Sequence, residues 1–243
     1  MKKIVALLLA LMMFSGAALA DTLVMATNAS FPPYEVVVDN GGFAGIDVEI
    51  ATAIANKLGY DLEVMDIEFG AIISAVNSGK ASFGLAGMTV TEDRLESVNF
   101  SESYATGIQV IIVKEDCELT MDDLLSADAA YLCGVQESTT GDIYISDELG
   151  DERVMRYPNG NEAVMALKAG KIDFVVIDNE PAKNYVAANE GLKILATPYI
   201  EENYAACFSK ENVELLDAFN GALAELIEDG TIPAIIAKYI SAE

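Results

Sequence analysis

The chain contains no histidine. That removes the commonest general base and the commonest imidazole ligand for a metal. No G-x-S-x-G turn is present either, and no ligand spacing suits a metal, so neither a nucleophilic hydrolase nor any cofactor is expected. Positive charge is scarce, with 14 Lys and Arg against 39 Asp and Glu. Nucleic acid and anionic lipid are therefore poor partners, and the acidity reads as a means of solubility. Cysteine is limited to Cys117, Cys133 and Cys207, so at most one internal disulfide can form, and the spacing allows Cys117 with Cys133. Beyond the first twenty residues, no apolar run approaches the roughly 20 residues of a membrane span.

Those first twenty residues, "MKKIVALLLALMMFSGAALA", place Lys2 and Lys3 before an apolar run and end in Ala18-Leu19-Ala20. This is the layout of a cleavable secretory signal, so residues 1–20 are expected to be removed and the product exported to a periplasm or cell surface. The apolar segment is short for a signal anchor, and no cysteine follows it to carry a lipid. Roughly 220 residues remain, enough for one large domain or two small lobes.

Three apolar runs bounded by turn residues read as buried parallel strands: "LVMAT" at 23–27, "SFGLAG" at 82–87 and "DFVVID" at 173–178. Helical spacing separates them. Ile46, Ile50, Ala53, Ile54 and Leu58 recur on one face and stop at Gly59, a C-cap. Val213, Leu216, Phe219, Leu223 and Ile227 form a second stripe, expected to pack on a core, and Pro233 suits the first turn of a final helix. The chain is α/β. It also nearly repeats itself: "SAVNSGKASFGLAG" from Ser74 sets beside "MALKAGKIDFVVID" from Met165, each a helix, a Gly-Lys turn and a strand.

In open parallel sheets, ligands lie beyond the carboxyl ends of the strands. Asn28 and then Phe31 follow the first run, Thr89 and Arg94 follow the second, and Asp178 ends the third. A guanidinium with hydroxyls on one lobe and a carboxylate on the other is what a zwitterion requires. Arg94 offers a planar fork to a carboxylate, Asp178 takes an ammonium, and "QESTTG" at 136–141 faces them. Each residue has a structural alternative. Arg94 can pair with Glu92 or Glu96, Thr89 with Glu92 fits a capping box, Asp178 can cap the helix near Pro181, and Phe31 and Phe69 can be core.

The motifs "TNASFPPYE", "GFAGIDVEIATAIANKLG", "AGMTVTEDRLESVNFSESY", "GVQESTTG" and "VVIDNEPA", in this order, resemble those of extracellular solute-binding proteins that deliver polar amino acids to bacterial ABC importers. The resemblance runs from Leu23 to the end of the chain. It implies the two-lobed periplasmic binding protein fold, type II: lobe 1 from 21–104 plus 204–243, lobe 2 from 105–203, and two crossing hinge strands. It further implies that Arg94 clamps the α-carboxylate with Thr89 and Thr139. Asp178 and the Ala86 carbonyl, beside Gly87, hold the ammonium. Phe31 and Phe69 stack on the side chain, and Asn28 and Gln136 contact its end. The partners implied are an L-amino acid and a membrane permease, with the protein itself a monomer.

Many basic-amino-acid binders of this family carry aspartate where this chain has Asn28, which points to a polar, uncharged cargo. Glu137 would readmit a cation if it faced inward, so a basic amino acid is the alternative. A dehydratase-like enzyme using Glu137 or Glu68 as acid or base is a remoter alternative, as is a receptor's sensor domain.

Overall fold

The computed structural model describes residues 21–196 and 198–240. The signal expected at 1–20 lies outside the described residues. The first half runs β1 (Thr22–Thr27), β2 (Ser30–Phe31), β3 (Glu35–Val37), β4 (Phe43–Ala44), α1 (Ile46–Leu58), β5 (Asp61–Asp66), α2 (Ile72–Asn77), β6 (Phe83–Gly84), α3 (Glu92–Ser97) and β7 (Val98–Phe100). Next come β8 (Ala105–Lys114), α4 (Met121–Leu125), β9 (Cys133–Gln136), α5 (Thr140–Leu149), β10 (Val154–Tyr157), α6 (Gly160–Lys168), β11 (Phe174–Asp178), α7 (Asn179–Ala188), β12 (Leu192–Ile194) and β13 (Ile200–Tyr204). The described chain closes with β14 (Cys207–Ser209), α8 (Val213–Glu228) and α9 (Thr231–Tyr239).

Two main sheets result. The first has the order β5-β1-β6-β14-β7, and the second the order β10-β9-β11-β8-β12, with β13 also paired to β8. The chain passes between them twice, from β7 to β8 and from β13 to β14. At that passage β8 and β13 run antiparallel, with Ala105 opposite Tyr204 and Gln109 opposite Ile200. A small sheet, β2-β3-β4, sits beside the first.

The expected strands are present, with one difference in extent. Their parallel pairing holds, β1 with β5 and β6 and β11 with β9, and antiparallel neighbours complete each sheet, β14 against β6 and β8 against β11. The expected strand at 82–87 is paired only at Phe83–Gly84. Beyond it Gly87 adopts φ 53 and donates its N–H to the Asp47 carboxylate at 2.8 Å, which turns the backbone out of the sheet.

Gly59 caps α1 in the left-handed conformation, as its spacing indicated. Pro233 lies in the first turn of α9. In α8 the buried residues are Phe219, Ala222, Leu223 and Leu226, whereas Val213 and Ile227 are exposed. The expected stripe drifts off the core at both ends, because a near-straight line of side chains cannot stay in register with a 3.6-residue turn. All three cysteines are free thiols. Cys133 and Cys207 are buried inside their strands, and burial raises their pKa, that of Cys207 to about 12. Cys117 lies in the loop after β8, and no bridge to Cys133 forms.

Behind the passage between the sheets, Tyr34, Tyr104 and Tyr204 pack together, with ring centroids 5.3 Å apart for Tyr34–Tyr204 and 6.5 Å for Tyr104–Tyr204. Two of the hydroxyls are spent on buried carboxyls, Tyr104 on Asp47 and Tyr204 on Asp178.

Candidate ligand-binding site

One cavity lies between the two sheets, lined by Asn28, Phe31, Glu35, Phe69, Ala86, Gly87, Thr89, Arg94, Gln136, Thr139, Thr140 and Asp178. The ten residues expected to contact the ligand are there, joined by Glu35 and Thr140. Strand ends and helix starts converge on it, so side chains and free backbone groups face a common space.

Arg94 lies on α3, whose N-cap is Thr91, with the Thr91 hydroxyl accepting from the Arg94 N–H at 3.2 Å. The capping box expected of Thr89 and Glu92 does not form. Thr89 lies two residues further back, bridged to Tyr204. The Arg94 side chain folds inward and is buried. Nη1 donates to the Thr89 carbonyl at 2.8 Å and Nη2 to the Ser138 carbonyl at 3.1 Å, while the guanidinium lies 5.3 Å from the Phe69 ring centroid. No ion pair to Glu92 or Glu96 is present among the described residues. A buried cation held by neutral carbonyls retains donors and an unmet need for an anion. Burial lowers its pKa, opposed by the nearby Glu202 carboxylate.

The facing wall comes from the second sheet. Asp178 ends β11 and occupies the N-cap position of α7, but its side chain makes no capping bond. Its Oδ2 accepts from Gln109 Nε2 at 2.9 Å, and its Oδ1 accepts from the Tyr204 hydroxyl. Burial, and then repulsion from Glu202, push its pKa up to about 7. No Lys or Arg pairs with this carboxyl among the described residues. Thr139 caps α5, accepting from Asp142 N–H at 3.3 Å and donating to the Gln136 carbonyl at 2.8 Å. Thr140, next to it, places its hydroxyl 3.4 Å from that of Thr89.

At a third corner, Gln136 Nε2 donates to Asn28 Oδ1 at 2.9 Å across the cavity. Glu35 is 1% exposed, and its carboxyl lies within hydrogen-bond reach of the Asp47 carboxyl. Burial and the adjoining Asp47 raise its pKa well above the usual carboxylate range. Asp47 in turn accepts from Gly87 N–H and the Tyr104 hydroxyl, each at 2.8 Å, and burial pushes its pKa up to about 6.

Glu137 and Glu68 fall elsewhere. Glu137 is exposed, and both line a separate outer cavity with Phe69, Gly70, Ala71, Ser138 and Pro158. In β9 and the turn after it, side chains alternate, so Gln136 inward sends Glu137 outward. Glu35 was the residue missed from sequence. It ends "FPPYE", within a quoted motif, but an acidic residue three places past Pro32 carries no sign that it is buried. Thr140 was hidden beside Thr139.

The model of the bacterial extracellular solute-binding proteins, family 3, matches residues 23–242. The chain belongs to this family. An arginine-binding extracellular protein of Bacillus subtilis (strain 168) is 30% identical to this solute-binding protein, over 91% of this chain and 87% of its own length. An ancestral arginine-binding protein has been solved bound to glutamine and bound to arginine. Both structures are 36% identical to this chain. The glutamine-bound form has a TM-score of 0.85 and covers 91% of this chain and 98% of its own; the arginine-bound form has 0.84 and covers 92% and 100%. The fold is accordingly that of the two-lobed periplasmic binding proteins.

Proposed function

We propose that this solute-binding protein is an exported, non-enzymatic carrier that captures a polar L-α-amino acid between its lobes and delivers it to the permease of an ABC importer. The observation that carries the reading is Arg94, a buried guanidinium without an ion-pair partner among the described residues, sharing a cavity with the carboxyl of Asp178. An α-amino acid supplies both missing charges. Arg94 and the hydroxyls of Thr89 and Thr140 take the carboxylate, with Thr139 fixing the start of α5 beside them, Asp178 and the Ala86 carbonyl take the ammonium, and Phe31 and Phe69 sandwich the side chain. Hydrogen bonds to charged partners contribute about 1.5–3 kcal/mol each.

In this reading lobe 1 comprises residues 21–104 and 204–243 and lobe 2 residues 105–203. They turn about the paired crossings at β8 and β13. Contacts between the walls, including Tyr185 Oη donating to the Ser30 carbonyl at 2.6 Å, support closure over the cargo. The names of the relatives support an amino acid as the class of cargo.

The amide of Gln136, hydrogen-bonded to that of Asn28, suits a neutral polar side chain. Glu35, an acidic residue in the cavity wall, favours a second reading, a basic one, since a guanidinium or ammonium would meet a carboxyl there. Thermal unfolding of the protein, stripped of copurified ligand by unfolding and refolding, against the common L-amino acids tests the function. At about 100 times its dissociation constant the cargo stabilises the native state by about 2.7 kcal/mol, a visible rise in midpoint. No rise with any amino acid would refute the reading.

A further inference from the structure

Asn28 and Gln136 form a chain of hydrogen bonds in which every direction is forced. The Ile67 carbonyl can only accept, and Asn28 Nδ2 donates to it at 2.9 Å. Asn28 must therefore turn its Oδ1 the other way. That oxygen accepts from the Ser30 hydroxyl at 2.9 Å and from Gln136 Nε2 at 2.9 Å. Gln136 in turn spends its amino group on Asn28, which leaves its Oε1 with no protein partner among the described residues, on a side chain that lines the cavity.

Asn28 is thus committed to the protein on both sides of its amide, although the sequence suggests it as a direct contact. We infer that Asn28 is a positioning residue that locks the Gln136 amide with its oxygen toward the cargo, so that the site admits side chains that donate hydrogen bonds and rejects anionic ones. The inference rests on the amino-acid reading above and adds to it the side-chain class. The same acceptor serves an amide, a guanidinium or an ammonium, so neutral and basic cargo share one requirement. A carboxylate side chain meets the Gln136 oxygen head-on, and Gln136 cannot turn over to greet it without setting its own Oε1 against Asn28 Oδ1, two acceptors with no proton between them.

The lock makes Asn28 separable from Gln136. In Asn28→Ala the Gln136 amide is free to rotate and present its amino group. In Asn28→Asp a carboxylate still accepts from Gln136 Nε2, so the lock survives. In Gln136→Met the acceptor disappears and no donor replaces it.

The experiment is calorimetric titration of the purified, ligand-stripped protein and these three variants with L-glutamine, L-arginine and L-glutamate. The readout is the affinity for the better of glutamine and arginine relative to glutamate. We expect a ratio above about 100 in the wild type and a fall of about tenfold or more in Asn28→Ala, through tighter glutamate binding. Asn28→Asp should retain the ratio, and Gln136→Met should weaken the donor cargo about tenfold while still refusing glutamate. Thermal midpoints identify any variant that fails to fold, and Gln136→Met tests the same acceptor without touching Asn28. An unchanged ratio in Asn28→Ala, or undiminished donor binding in Gln136→Met, would overturn the inference while leaving the amino-acid function standing. A wild type that binds none of the common L-amino acids would overturn both.

Discussion

The two copies of the helix, Gly-Lys turn and strand unit meet at the cavity and end differently there. In the first, α2 leads through Gly79 at φ 72 to Phe83; in the second, α6 leads through Gly170 at φ 70 to Phe174. From those matching phenylalanines the second strand continues for five residues and ends on the side chain of Asp178. The first is paired for two residues only, and at the position matching Asp178 it has Gly87. Its contribution to the cavity is therefore backbone, Ala86 and Gly87, in a turn that Asp47 secures through the Gly87 N–H. One unit, used twice, places a carboxyl on one wall and main chain on the other. In the proposed reading the Asp178 carboxyl and the Ala86 carbonyl both accept from one ammonium.

The sharpest way to break the comparison is to make the second copy end as a neutral group. Asp178→Asn should weaken amino-acid binding by about 100-fold or more, measured by calorimetry, since it removes the charge assigned to the ammonium. The reciprocal change acts on stability. At Gly87 the backbone is left-handed, and an added Cβ would lie 2.8 Å from Phe31 Cε1. Gly87→Ala should cost about 1–3 kcal/mol in denaturant unfolding.

Acidity probes the same difference, because only the second copy titrates. The Asp178 pKa is raised from 3.8 to about 7, so its contribution to the stability of the empty protein is fully present below about pH 4 and lost as pH rises through 7. Binding runs the opposite way, since the cargo ammonium requires the ionised form. Affinity should rise with pH, by up to about tenfold per unit below 7, and level off above it. Titrations at pH 5.5, 6.5 and 8 would show the slope, and a flat profile would remove Asp178 from direct contact. The smallest effect tests the shared half of the unit: Gly79→Ala and Gly170→Ala should each destabilise by about 1 kcal/mol, similarly in the two copies.

Much of this was legible in the sequence because it rests on local chemistry. The Gly-Lys turns, the apolar runs before polar residues and the Gly59 cap each carry their signal within a few residues. The ten residues read as a site converge because strand ends converge in this kind of sheet, and the ordered motifs gave their sequence along the chain. What escaped is what depends on partners far apart. Antiparallel pairing of β14 with β6 joins residues more than a hundred positions distant, and no local pattern announces it. The burial of Glu35 depends on Asp47 and on the closed cavity. The direction in which the Asn28 amide points is decided by the Ile67 carbonyl, a backbone atom with no side-chain signature.

The central claim is that Arg94 and Asp178 grip the two charges of a zwitterion. The most direct test is calorimetric titration of the wild-type protein with L-arginine and L-glutamine alongside agmatine and gamma-aminobutyramide, which keep the ammonium and side chain but lack the carboxylate. The account predicts that each decarboxylated compound binds at least about 100-fold more weakly than its parent, because the Arg94 guanidinium stays buried without its anion. Equal affinity of parent and decarboxylated compound would contradict it.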